Sequence, residues 1–272
     1  MMESLISMFS YPFIIRAMVG GIVISLCAAL LGVSLVLKRY SMIGDGLSHV
    51  GFGAVAVASV LNAAPMAVAI PVVIAAAFLL LRMSESSKIK GDAAVALVST
   101  SALAVGVIAV STTTGMNTDF YSYMFGTILG MSESDVILSL AVSIPVLLLF
   151  ILFYNKIFAV TFDEVFSKAT GVKVGLYNAL IAVLTAVTIV LGMRLMGALL
   201  ISSLVIFPSL TSMRVCRHFR SVVICSAIVS VVCFFTGIYL STCFNLPTGA
   251  SIVGVNIAAF AVFSLVGAVR KA

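Results

Sequence analysis

Nine long apolar runs, separated by short polar segments, constrain this chain more than any other feature of its sequence. Each run is close to the ~20 residues that an α-helix needs to cross a bilayer. The mean hydropathy is +1.30 and only 9% of the 272 residues are charged, which excludes an ordinary soluble protein. The sequence therefore predicts an all-α, polytopic helical membrane protein with about eight or nine transmembrane helices. The predicted spans are 13–37, 46–63, 64–82, 92–113, 134–155, 174–193, 195–213, 221–242 and 250–269.

Basic residues are distributed unevenly between the two ends of these spans. Thirteen of the 15 Lys and Arg residues fall in alternate loops, and only Arg16 and Arg194 fall on the other side. The positive-inside rule places the basic loops and the C-terminus in the cytoplasm. Nine spans, which we prefer, then place the N-terminus outside, whereas eight would place it inside. We expect Arg16 and Arg194 to snorkel to the outer interface.

Several classes of protein are excluded by what the sequence lacks. The net charge of +6 does not indicate a nucleic-acid partner, because the basic residues form no patch with aromatic residues. The five cysteines include no Cys-x-x-Cys pair, so neither a disulfide framework nor a thiolate zinc site is predicted. No Gly-x-x-x-x-Gly-Lys-[Ser/Thr] motif occurs, so we predict that the chain is not itself an ATPase of that class. The N-terminus lacks the features of a cleaved signal, and its first run is expected to be a retained helix.

Asp45 and His49 are the most unusual polar residues beside an apolar run. They stand four positions apart, so in a helix both side chains fall on one face, one turn apart. Ionisable groups inside a membrane protein mark ion binding or proton movement by default. Carboxylate oxygen and imidazole nitrogen are ligands that suit zinc and other divalent transition metals. The pair is therefore a candidate metal site.

A structural role fits the same pair equally well from the residues alone. Gly44 and Gly46 flank Asp45, which is compatible with a loop that enters a helix and with an Asp45 carboxylate that accepts free backbone N–H groups. The depth of Asp45 in the membrane depends on whether the segment that precedes it is helical or extended. A helix from Lys38 carries Asp45 only about 10 Å inward, whereas an extended segment carries it about 23 Å. A site near mid-membrane requires that residues 39–45 are not a regular helix.

The longest predicted cytoplasmic loop follows the fifth span, and part of it has the pattern of a short amphipathic helix. One face of this helix is expected to hold Phe162, Val165, Phe166 and Ala169. Its N-cap, acidic first turn and terminator are expected at Thr161, Asp163, Glu164 and Gly171. The pattern fits a helix that rests on the membrane surface, or a docking element for a cytoplasmic partner.

Five short stretches follow one another in a characteristic order along nearly the whole chain. They are Gly44–His49, Tyr123–Leu129, Phe162–Gly171, Met196–Pro208 and Asn245–Ala250. In these stretches the chain resembles the membrane-spanning permease subunits of bacterial ATP-binding-cassette importers for zinc and manganese, most closely the zinc-uptake branch. Each stretch alone is a weak signal, whereas five in family order are a strong one.

The resemblance implies a single permease domain over residues 1–272, located in the bacterial plasma (inner) membrane. It implies a homodimer that carries two cytoplasmic ATPase subunits and is fed by an extracytoplasmic metal-binding protein, with no permanently bound cofactor. Asp45 and His49 would lie in the translocation path and contact the transported metal. The resemblance to the zinc-uptake branch makes zinc the expected ion. The ATPase would be contacted by a coupling helix with Phe162, Asp163, Glu164, Phe166, Lys168 and Gly171.

Alternative functions remain open from the sequence. A manganese or iron importer of the same family uses the same ligand types, because zinc and manganese both accept imidazole and carboxylate. A stand-alone ion-coupled secondary metal carrier would need a second coupling site, and the sequence shows no clear inverted repeat. An intramembrane hydrolase is disfavoured because no His-Glu-x-x-His or serine dyad occurs.

A few other polar residues have a simpler interpretation. His218 stands beside Arg217 and is expected to be a solvated loop histidine, because neighbouring positive charge opposes cation binding. Asp119, Glu133 and Asp135 fall on the predicted outer side. They are expected to be solvated acids, with reception of a binding protein as the alternative.

Overall fold

The computed structural model describes residues 11–85, 91–112 and 128–269, and every regular element within these ranges is helical. In chain order the α-helices are α1 Pro12–Leu37, α2 Ile43–Val60, α3 Pro65–Glu85, α4 Gly91–Ser111, α5 Glu133–Leu152, α6 Tyr154–Phe162, α7 Glu164–Ala169, α8 Val174–Met196, α9 Ala198–Val215, α10 Phe219–Phe244 and α11 Thr248–Val269. A single 3-10 turn, Ile128–Gly130, precedes α5. Among the described residues nine helices, all but α6 and α7, are long and apolar enough to cross a membrane. The predicted fold class, with nine spans rather than eight, is confirmed.

The observed helix ends lie within a few residues of the predicted ones. The second span begins earlier than predicted, at Ile43, and ends at Val60. The residues from Asn62 to Pro65 predict a tight turn between the second and third spans. This turn is present: Asn62 adopts a left-handed backbone conformation with φ of 50°, and α3 starts at Pro65. The short, aromatic-rich stretch 119–130 predicts an interfacial or re-entrant half-helix, and it falls mostly outside the described residues. Outside them also lie Lys88, Lys90, Asp119, Tyr123–Thr127, Arg270 and Lys271.

The spanning helices divide into inner and peripheral ones. In the most apolar stretch of α1, 67% of the residues are buried inside the protein, and in α2 the share is 72%. In α11 the corresponding share is only 17%. Helix α1 packs against α5, α8, α9 and α10. The pair Asp45 and His49 therefore lies on one of the two most enclosed helices rather than on one that faces lipid.

Helices α2 and α4 pack with their backbones in close approach. A Cβ atom added at Gly53 would lie 2.4 Å from the carbonyl oxygen of Ala102, and one added at Gly46 would lie 2.5 Å from Cγ1 of Val95. Small residues allow this approach between membrane helices. Because Gly46 meets Val95 and Gly53 meets Ala102, the two helices run in the same direction. Gly46, next to Asp45, thus serves packing, and the unwound segment that Gly44 and Gly46 would allow is not formed, because both lie inside α2.

The two basic residues that break the charge pattern are both paired. Arg16 contacts Glu133 at 2.5 Å, and Arg194 contacts Asp135 at 3.3 Å. Asp135 also completes a capping box with Ser132 at the start of α5. Asp135 is therefore not the solvated acid that was expected, because its cap and its ion pair hold it, whereas Glu133 stays 77% exposed while it pairs with Arg16. The snorkelling of Arg16 and Arg194 stays a prediction. The start of α5 ties α1 and α8 together at this end of the protein.

Candidate functional site

A tight turn between α1 and α2 sets the position of Asp45. Helix α1 ends at Leu37, and Arg39 takes a left-handed conformation with φ of 62°. The backbone N–H of Tyr40 donates to the carbonyl of Leu35 at 2.8 Å, and that of Ile43 donates to the carbonyl of Tyr40 at 3.0 Å. Residues 39–45 are therefore neither extended nor one continuous helix. The turn is closed by hydrogen bonds and is followed directly by α2.

Asp45 and His49 lie on one face of α2, as their spacing predicts. Nε2 of His49 lies 3.6 Å from Oδ2 of Asp45. Two ligands of one tetrahedral zinc ion lie about 3.4 Å apart, given bonds of about 2.0–2.1 Å, so one ion can bridge these two atoms. The alternative in which Asp45 caps α2 from a loop is wrong, because Asp45 lies inside the helix, whose N-cap is Met42.

Helix α9 contributes a third polar group to this site. Gly197 breaks the chain between α8 and α9 with φ of 91°, a conformation that glycine adopts without steric cost. This break starts α9 so that Ser202 faces α2, and the Ser202 hydroxyl donates to Oδ1 of Asp45 at 3.4 Å. Ser202 lies within the stretch Met196–Pro208 that carries the family resemblance, but no local pattern indicates its partner. The contact orients the Asp45 carboxylate from a helix remote in sequence.

A cavity of about 280 Å³ opens beside the pair, between α2 and α4. Its polar lining comes from Asp45, His49, Asp92, Ser99 and Thr100. Asp92 lies in the first turn of α4 and was missed by the sequence analysis, although an acid at the start of an apolar run is a usable signal. Among the described residues no group of three or more His, Cys, Asp or Glu side chains is close enough to hold a metal. Asp45 and His49 therefore remain a candidate donor pair of two residues, without a third His, Cys, Asp or Glu beside them among the described residues.

The segment 162–171, expected to form an amphipathic helix, contains α7. Its N-cap is Asp163, whose side chain accepts a hydrogen bond from the backbone N–H of Phe166 at 2.8 Å. The expectation that Thr161 is the N-cap is wrong, because Thr161 is still inside α6. Gly171 follows the helix with φ of 82° and ends it as predicted.

The apolar face of this segment is largely uncovered. Val165 is 81% exposed and Phe166 is 65% exposed, and Lys168 is exposed beside them. Phe162 is 59% exposed but also packs on Phe219 at a ring-centroid distance of 5.9 Å. Val165 and Phe166 thus form an apolar surface that the other residues described by the structure leave open.

Glu164, in contrast, faces the body of the protein. Nζ of Lys38 donates to Oε1 of Glu164 at 2.6 Å and to Oδ1 of Asn178 at 2.5 Å. Nδ2 of Asn178 donates to the same Glu164 oxygen at 3.1 Å. Burial opposes the ionisation of Glu164, but the hydrogen bonds and charge of Lys38, with the bond from Asn178, outweigh it and hold the pKa of this carboxyl below its usual value. These contacts join α1, α7 and α8.

His218 stays apart from these groups. It lies on the exposed surface just before α10, as expected of a solvated loop histidine. Among the described residues no other histidine or acid joins it in a cluster able to hold a metal.

Comparisons with known proteins agree over nearly the whole chain. The sequence model of the ABC 3 transport family matches residues 10–267. The chain is 27% identical over 254 residues to the manganese transport system membrane protein MntC of Halalkalibacterium halodurans, covering 93% of this chain and 87% of that protein. It is 28% identical over 243 residues to the high-affinity zinc uptake system membrane protein ZnuB of Haemophilus influenzae, covering 89% and 93%. Its fold matches a chain in the structure of PsaBC from Streptococcus pneumoniae in complex with Fab with a TM-score of 0.85 and 28% identity, covering 96% and 94%.

Proposed function

This chain belongs to the ABC 3 transport family, and from that premise we propose that it is the transmembrane subunit of an importer that brings a divalent metal ion into the cytoplasm. In this proposal it forms a homodimer in the bacterial inner membrane, with its C-terminus in the cytoplasm. Two separate ATPase subunits supply the energy, and an extracytoplasmic metal-binding protein delivers the ion. The observation that carries the proposal is the Asp45–His49 pair on the wall of a cavity inside a chain of this family.

The chemistry of Asp45 and His49 suits a site that binds a metal ion transiently. The Asp45 carboxylate offsets the cost of removing a divalent cation from water, which is prohibitive for an unpaired charge in an apolar environment. His49 supplies a neutral imidazole nitrogen, and Ser202 holds one oxygen of Asp45 in place at 3.4 Å. Two protein donors leave the remaining positions of a tetrahedral ion to water or to the second subunit. Such an incomplete site binds less firmly than a closed structural site, which suits a protein that must release its cargo.

Zinc is the cargo that we propose first. The imidazole of His49 is a good ligand for zinc, and the ZnuB relative is named for zinc uptake. Manganese is the second candidate, because the MntC relative is named for manganese. It is favoured by the two carboxylates, Asp45 and Asp92, that line the cavity, since carboxylate oxygen is the usual ligand of manganese. The two assignments differ only in the ion, and transport measurements separate them.

The exposed part of the segment 162–171 is proposed as the contact with the ATPase. Val165 and Phe166 present an uncovered apolar surface, and Lys168 supplies a positive charge beside it. Asp163 and Gly171 define the two ends of α7 and so fix how this surface is presented. Glu164 lies on the opposite side, in contact with Lys38, and Phe162 packs partly on Phe219. Both would therefore support the contact rather than form its centre.

Uptake by reconstituted vesicles tests the proposal. Proteoliposomes that contain the chain with its ATPase and metal-binding protein should accumulate zinc or manganese only when ATP is supplied to the ATPase side. Vesicles that contain the chain alone should neither hydrolyse ATP nor accumulate metal against its gradient. Uphill uptake by the chain alone, driven by a proton or sodium gradient, would instead establish the secondary-carrier alternative. The ratio of zinc to manganese uptake at equal concentration decides the cargo.

A further inference from the structure

A buried ammonium group joins the proposed ATPase contact to the start of the metal-site helix. The side chain of Lys38 is only 7% exposed and follows directly after the last residue of α1. It donates to Glu164, the first residue of α7, and to Asn178 on α8. An ammonium group so enclosed is costly unless it is paired. If α7 moved away from Lys38, these contacts would break, and the Lys38 ammonium group would become either exposed or buried without a partner. The contacts therefore restrain α7.

The path from Lys38 to Asp45 is short and stiff. Only the turn 38–42 lies between α1 and α2, and the N–H groups of Arg39, Tyr40 and Ile43 all donate to backbone carbonyls within it or in α1. The next bond, from the N–H of Gly46 to the carbonyl of Met42 at 3.0 Å, already belongs to α2. A displacement of Lys38 is thus passed to Asp45 through a short turn, in which Arg39 and Tyr40 are bonded to α1 and Ile43 is bonded to Tyr40.

From this geometry we infer that Lys38, Glu164 and Asn178 are positioning residues that transmit movement of α7 to the helix carrying Asp45 and His49. The inference rests on the proposed function, in which an ATPase binds α7 and α2 carries the transported metal. The three residues touch neither the metal nor the nucleotide. Their effect is on coupling, the amount of metal moved for each ATP hydrolysed. Energetic coupling requires an element that both sites act on, and the Lys38 contacts supply one between α7 and the α1–α2 turn.

The test compares coupling in the complete complex with Lys38→Met and Glu164→Gln, which remove one charge each and keep the side-chain length. Both variants should bind the ATPase in full amount and retain ATP hydrolysis, while metal uptake per ATP falls by about fivefold or more, the lower range of allosteric coupling. The double variant should be no worse than either single one, because both remove the same contact. Lys156→Met removes an exposed basic residue from α6 and should keep the normal ratio.

A second pair of variants separates coupling from folding. Exchange of the two charges, Lys38→Glu with Glu164→Lys, should restore most of the coupling that each single reversal abolishes, since the amide of Asn178 can donate or accept. Unchanged uptake per ATP in the neutral variants, or an exchanged pair that assembles but stays uncoupled, would overturn the inference. Failure of all variants to assemble would assign these residues to folding alone and overturn it as well. If the unmodified complex shows no ATP-dependent uptake, the proposed function fails, which is a different result.

Discussion

The hydroxyl of Ser202 donates to Oδ1 of Asp45 at 3.4 Å, although 157 positions separate the two residues in the chain. The contact joins α9 to α2 at the point where His49 lies 3.6 Å from the other carboxylate oxygen. Asp45 is thus held on one side by a hydroxyl and faces an imidazole on the other. In the proposed metal site this arrangement would orient the carboxylate toward an ion shared with His49, and it makes the role of each group testable.

Replacement of either donor should abolish metal uptake without preventing assembly. Asp45→Asn keeps the size of the side chain but removes the charge that offsets cation desolvation, and His49→Ala removes the nitrogen donor. Uptake by proteoliposomes with the full complex is the measurement. Thr236→Ala, which removes an exposed hydroxyl that donates to the Val232 carbonyl within α10, is the control and should transport normally. Near-normal uptake by Asp45→Asn in a well-folded complex would show that transport does not need the negative charge of Asp45.

Ser202→Ala should weaken transport rather than abolish it. Removal of a group that orients a metal ligand lowers the metal affinity by about 10-fold to 100-fold. The metal concentration for half-maximal uptake should therefore rise by roughly that factor. Ser203→Ala is the matched control, because the Ser203 hydroxyl donates to the carbonyl of Leu200 within α9. Equal effects of the two substitutions would mean that the Asp45 contact has no specific role.

Phe166→Asp should prevent the ATPase from copurifying with the chain. The ring is 65% exposed in the isolated chain, so the charge is tolerated there, but an unpaired carboxylate is costly in a buried contact. Copurification stoichiometry from detergent is the measurement. Phe244→Asp is the control. Phe244 is 67% exposed and is the last residue of α10, whereas the segment 162–171 packs at the first residue of that helix, Phe219. A full complement of ATPase on the Phe166→Asp chain would exclude this residue from the contact.

Gly53→Ala should destabilise the packing of α2 on α4. The added methyl would lie 2.4 Å from the Ala102 carbonyl oxygen, and overpacking of this kind costs about 1–3 kcal/mol. The midpoint of thermal unfolding in detergent should therefore fall. Gly254→Ala provides the comparison, because no atom lies within 4 Å of its added Cβ and alanine favours a helix over glycine. An unfolding midpoint for Gly53→Ala as high as that for Gly254→Ala would contradict the close approach.

Acidification should release α7 from Lys38. The pKa of Glu164 in the folded chain lies below its usual value, so its pairing contributes full stability above the ordinary glutamate pKa of about 4.3. That stability is lost as the pH falls below this value through the folded-state pKa. The chain has no tryptophan, so Phe166→Trp supplies a single fluorescent reporter whose emission should change in that range. Glu164→Gln should remove the transition, and Asp163→Asn, which keeps the cap, should leave it.

Much of the fold followed from local sequence. The lengths of the apolar runs determined the nine spans, because a helix that crosses a bilayer must satisfy its backbone hydrogen bonds internally along about 20 residues. The spacing of Asp45 and His49 determined that they share a face, and Gly171 marked the end of α7. These features depend only on neighbours within a few turns, so a single sequence contains the information that decides them.

The partners of these residues depended on tertiary structure. Nothing local links Ser202 or Asp92 to Asp45, or Lys38 to Glu164, because each pair belongs to different helices. The spanning helices are apolar on all sides, so hydrophobic periodicity does not identify which face meets which neighbour. Close approach at Gly53 brings α4 beside α2, and the break at Gly197 precedes the helix that carries Ser202, so fit between segments distant in sequence decides these contacts. The sequence thus determined the helices and the shared face of Asp45 and His49, while packing alone decided which residues contact that pair and what connects its helix to α7.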